Sequence, residues 1–209
     1  MKSTDGQVLE AVPVSERVSR DEQPGWVTSE LPAEYGELAA RIKALEDEAR
    51  KFETVAAVLW QTGTPLVRAV HDLFDALGYR AEPSESGAAS YDLAVKLEDG
   101  RRLLVEVVGG PEAMTRRSPQ ISQVLRTLQE EAGDGDRVVV VANAFADLPL
   151  ADRRQEAVQG DALRLIQGLG ANFITTATLF GVWRYSLKDM AGARKSITRL
   201  HAQDGGIFR

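Results

Sequence analysis

Between residues 31 and 59 the apolar positions recur at alternating spacings of four and three: Leu31, Tyr35, Leu38, Ile42, Leu45, Ala49, Phe52, Ala56 and Leu59. The repeat averages 3.5 residues, the period of a helix with one narrow apolar seam. Glu37, Arg41, Lys43, Glu46, Glu48, Arg50 and Glu53 lie between the seam positions, so the rest of the helix suits water. Two arrangements satisfy this pattern. The seam either joins two copies of the chain as a coiled coil, giving a homodimer through residues 31–59, or folds back onto the chain's own domain. Upstream, residues 1–30 are polar, broken by Pro13 and Pro24, and show no period; they read as a flexible tail.

A second helix is expected over residues 65–77, with Leu66, Val67, Val70, Leu73, Phe74 and Leu77 on one face, Thr64 as its cap and Gly78 as its stop. Tyr79–Glu82 reads as a first strand and residues 83–90 as a loop. From Tyr91 to Leu97 the chain alternates: Tyr91, Leu93, Val95 and Leu97 point one way, Asp92, Ala94 and Lys96 the other. Glu98-Asp99-Gly100 signals a turn, and Arg102–Val108 a buried strand. A helix over 119–131, a valine-rich central strand from Arg137 to Ala142, a helix over 152–168, a strand Asn172–Thr176 and a helix Ala177–Leu187 follow. An early hairpin followed by alternating strands and helices predicts an α/β fold, antiparallel at its start and parallel afterwards. The predicted organisation is a tail (1–30), an amphipathic or coiled-coil helix (31–60), an α/β domain (61–188) and a glycine-containing C-terminal tail (189–209) that frays.

Composition narrows the chemistry. The chain has no cysteine and only two histidines, His71 and His201. Thiolate metal sites, disulfides, cysteine nucleophiles and histidine-rich metal clusters are therefore excluded. No apolar run approaches the roughly 18 residues of a membrane span, and the first residues lack an apolar signal core, so a cytoplasmic protein is expected. The net charge is −6, against the basic balance of most nucleic-acid binders.

Asp92 and the run Leu104-Val105-Glu106-Val107-Val108-Gly109 resemble the restriction-endonuclease-like superfamily. Its pattern is an aspartate, then a glutamate-x-lysine on the next strand, with a helix on either side of the hairpin and a buried strand after it. The resemblance covers about residues 55–187. It implies a restriction-endonuclease-like mixed sheet flanked by helices, Asp92 and Glu106 as catalytic metal ligands for Mg2+ or Mn2+, and a polar helix residue such as Gln123 or Gln120 facing the site. Two carboxylates on neighbouring strands can hold a divalent cation that activates water and offsets phosphate charge. The superfamily's lysine falls on Val108, which can neither bind nor polarise water. Lys96 is four residues from Asp92, roughly 13 Å along a strand, and Arg116, Arg117 and Arg126 are poor bases.

Turn length decides whether the acids meet. A two-residue Asp99-Gly100 turn pairs Asp92 with Val107 and sends the acids to opposite faces. A three-residue Glu98-Asp99-Gly100 turn, with Gly100 in the left-handed conformation, pairs Asp92 with Glu106. His71 has no carboxylate partner at a recognisable spacing, Asp72 and Asp75 read as solvated, and Trp60, Trp183 and Tyr185 read as core. Three functions are compatible with these features. The first is a catalytically degenerate nuclease-like domain used for assembly, or for binding nucleic acid or nucleotide. The second is an active metal-dependent nuclease using Asp92 and Glu106. The third is a coiled-coil adaptor whose globular part takes no ligand.

Overall fold

The computed structural model describes residues 24–84 and 90–209. Most of the expected N-terminal tail, and the centre of the expected loop at 83–90, lie outside these residues. The chain divides into two units, 1–48 and 49–209.

In the first unit, α1 (Val27–Glu30) precedes most of α2 (Ala33–Ala56). The seam residues Leu38, Ile42 and Leu45 are 59%, 43% and 57% exposed. Apolar side chains at this spacing remain open to solvent here.

In the second unit, the end of α2 behaves differently. Val55 and Val58 are buried in the core, and the Phe52 ring meets Trp183 edge-on at 5.8 Å. The fold-back predicted for the helix therefore holds for its C-terminal end alone. The C-terminal end folds onto its own domain, while the row from Leu38 to Leu45 stays free within its unit.

The α/β unit is built on a six-stranded mixed sheet in the order β1 (Arg80–Pro83), β2 (Leu93–Lys96), β3 (Arg102–Gly110), β4 (Arg137–Ala144), β5 (Asn172–Thr175) and β6 (Gly206–Ile207). The first two pairings are antiparallel and the other three parallel, as the sequence pattern predicts. Alternation sorts the side chains into two layers. Leu103, Val105, Val139 and Val141 face α3 (Gly63–Ala76), α6 (Thr176–Ser186) and α7 (Met190–Ala202). Leu104, Val138, Val140 and Ala142 face α4 (Pro119–Arg126) and α5 (Gly160–Gly168). Burial on both sheet faces explains why β4 is a valine run and does not alternate with polar residues.

Several expectations change. Residues 189–209 do not fray: Asp189 caps α7 by accepting from the Gly192 N–H at 2.9 Å, and Ala193, Ile197 and Leu200 enter the core at helical spacing. The Phe208 N–H then donates to Phe173 O at 2.8 Å beside β6. The helix expected over 152–168 begins only at Gly160, and α4 gives way to a π-helical turn at Thr127–Glu131. Thr62, not Thr64, is the N-cap of α3. Trp183 is core, as expected, but Trp60 and Tyr185 are 52% and 48% exposed.

Candidate functional site

The β2–β3 turn sets the site. The Leu97 N–H donates to Arg101 O at 2.8 Å, which leaves Glu98, Asp99 and Gly100 as a three-residue loop. Gly100 has φ +86°, the left-handed conformation such a loop needs and one in which a Cβ is strained. Asp99 braces the loop by accepting from the Arg101 backbone N–H at 3.1 Å and its guanidinium at 2.6 Å. The resulting register pairs Leu93 with Val105. Continued one step further, this register would bring Asp92 opposite Glu106.

The strand loses its regularity at Asp92. The Asp92 N–H donates to Val105 O at 2.9 Å, although Val105 is the partner of Leu93. Two consecutive residues thus oppose one, as in a bulge. Tyr91 consequently packs in the same layer as Ala94, not with Leu93 and Val95 as simple alternation predicts. The Asp92 carboxylate takes over where the ladder stops, with Oδ2 accepting from the Val107 N–H at 2.7 Å. Ser90, just upstream, is held by Thr127, whose hydroxyl donates to Ser90 O at 2.7 Å. Thr127 is fully buried and begins the π-helical turn, so an irregular helix pins the irregular end of a strand.

Glu106 lies between Leu104 and Val108 on the layer under α4 and is 3% exposed. Burial and the nearby Asp92 charge push its carboxyl up to about 8. Glu106 is therefore mostly neutral at pH 7. Asp92 is also raised by burial, against the opposing pull of the Val107 N–H. The turn has the expected three residues, and Asp92 lies near enough for its charge to act on Glu106, but the bulge replaces the direct pairing of the two acids. Val108, where the resemblance expects lysine, is half-buried and packs in the second cluster.

The other candidates lie apart. Gln123 and Gln120 are half-buried on α4, and among the described residues neither is hydrogen-bonded to the acids. Lys96 is exposed and lines a groove with Tyr91, Ser84 and Arg102. His71, expected to lack a carboxylate, has Asp72 at 3.1 Å and Asp75 at 3.7 Å along α3; the pairs are adjacent and one turn apart, spacings that local sequence offers in every acidic helix. Among the described residues no group of three or more His, Asp or Glu side chains could hold a metal ion, and no helix is long and apolar enough to cross a membrane. Two carboxyls with waters could still supply a hard cation, but Glu106 must first lose its proton.

Sequence reasoning missed the polar tie at the opposite end of the β4 valine run. Asn143, fully buried, donates to Gln61 O at 2.9 Å and accepts from Arg153 at 2.8 Å and Thr176 at 3.0 Å. Its only sequence signal is an asparagine inside an otherwise apolar strand. Fold and site together define an α/β protein with a mixed sheet and a buried, proton-holding carboxyl beside a second acid. Comparison of the chain with protein-family models, with curated proteins and with solved structures found no match.

Proposed function

We propose that this chain is an assembly module: a nuclease-like α/β domain that has lost cleavage, joined to a second copy through α2. The observation that carries the reading is the open row Leu38, Ile42 and Leu45, three large apolar side chains at seam spacing with solvent on them. Pairing with an identical helix covers such a row in register. The acid pair supports the loss of cleavage. A neutral Glu106 is a poor cation ligand at pH 7, and Val108 supplies no base.

Light scattering on the full chain tests the assembly. The reading expects a dimer for the native chain and a monomer for Leu38→Glu/Ile42→Glu/Leu45→Glu with an unchanged circular dichroism spectrum; a native monomer at tens of micromolar overturns it. Incubation with mixed DNA and RNA and Mn2+ tests the other half. Cleavage that disappears in Glu106→Ala would restore the active-nuclease alternative. The groove lined by Tyr91 and Lys96 supports one second reading, nucleotide or nucleic-acid binding without cleavage, by placing an aromatic side chain beside an exposed cation, while Arg102 in the same wall is paired with Asp136.

A further inference from the structure

At the carboxyl ends of β4 and β5 the following helices leave the sheet on opposite sides. α5 carries Ala162 and Ile166 into one layer, and α6 carries Leu179 and Trp183 into the other. Neighbouring parallel strands whose connections part in this way leave a crevice beyond their ends, where open α/β sheets bind ligands. Here the crevice is a cavity of about 230 Å³. Ala142 and Ala144 of β4 and Ala177 of α6 form part of its wall, and their short side chains leave the space open.

Arg153 lines the same cavity. Its guanidinium donates to Leu59 O at 2.5 Å, Asn143 Oδ1 at 2.8 Å, Leu148 O at 2.9 Å and Ala146 O at 3.3 Å. All four acceptors are neutral. They fix the group in place and leave its charge uncompensated; among the described residues no carboxylate pairs with it. The side chain is half-buried, and desolvation pulls its pKa down. A cation held in this way favours an anion within reach. Thr175 and Thr176 also line the wall, their hydroxyls held by Thr178 and Asn143, and the first turn of α6 adds the partial positive charge of its amides. Glu156, the acidic lining residue, is exposed.

The geometry points to a binding site in this cavity for a small oxyanion, the carboxylate or phosphate of a metabolite-sized molecule, with Arg153 as its fixed counter-ion. The site is independent of the acid pair and of α2.

The test uses the full chain at constant ionic strength, titrated separately with inorganic phosphate, citrate and chloride. Readouts are the melting temperature and the amide resonances of Ala144, Thr176 and Ala177. The expected result is a saturable shift with phosphate or citrate and none with chloride; the anion that acts identifies the headgroup. Ala177→Glu places a carboxylate in the wall without touching the bonds of Arg153, and an acid in the first turn suits a helix. This variant should fold and bind at least about tenfold more weakly, a loss of about 1.4 kcal/mol. Arg153→Gln should lose binding as well. Absence of a saturable shift with either oxyanion, or undiminished affinity in Ala177→Glu, overturns the proposal.

Discussion

Replacing Glu106 by glutamine should stabilise the protein, and by an amount that depends on pH. The glutamate titrates near its ordinary value of 4.5 when the chain is unfolded and at about 8 when folded. Below pH 4.5 both states hold the proton and nothing is lost. As pH rises past 4.5 the unfolded chain ionises while the folded one keeps its proton, so stability falls with pH. The fall stops once pH exceeds the folded value. Each tenfold change in proton affinity is worth about 1.4 kcal/mol. From these limits the buried acid costs about 1 kcal/mol at pH 5, about 3 at pH 7 and about 5 above pH 8. Glutamine matches the neutral acid in shape and never ionises. Glu106→Gln should therefore nearly equal the native chain at pH 5 and exceed it increasingly to pH 9. Urea unfolding followed by circular dichroism at pH 5, 7 and 9 measures the difference. A variant less stable than the native chain at pH 9, or a difference that does not change with pH, would refute the assignment of Glu106 as a neutral buried acid.

Three further outcomes follow from the same geometry. Asp92→Asn keeps an acceptor for the Val107 N–H and removes the charge that helps hold the Glu106 proton; carbon NMR of the Glu106 carboxyl should show its midpoint lowered by roughly one pH unit. Val108→Lys places an ammonium two residues along the same strand face, so the same titration should again move downward, and an unmoved midpoint would mean that the lysine points elsewhere. Gly100→Ala forces a Cβ into a backbone with φ +86° and should cost about 1 kcal/mol in urea unfolding, chiefly by faster unfolding.

Local features made the hairpin legible. Glu98-Asp99-Gly100 contains a glycine where a left-handed residue is needed, and period-two alternation flanks it, so the turn length could be posed as a choice and the acids placed by it. The β4 valine run was equally plain. α7 was obscured because Gly192, Gly205 and Gly206 signal fraying, although Ala193, Ile197 and Leu200 follow a helical period. The departure at Asp92 could not be foreseen. Alternation assigns a face to each residue of a strand, but it does not record that a side chain has replaced the backbone as acceptor for Val107. The tie among Gln61, Asn143 and Arg153 spans 82 residues at one of its bonds, and no local pattern reports a contact between residues so far apart.

The hairpin turn also bears on how this gene can change. The Leu97–Arg101 pair can close over two residues as well as over three, so losing a codon between Glu98 and Gly100 leaves every partner of β2 in place. A loss within β2 itself is different, because a strand has period two and each residue upstream of the loss moves to the other layer. Changes of length should therefore collect in the turn, while those in the strand are removed by selection on folding.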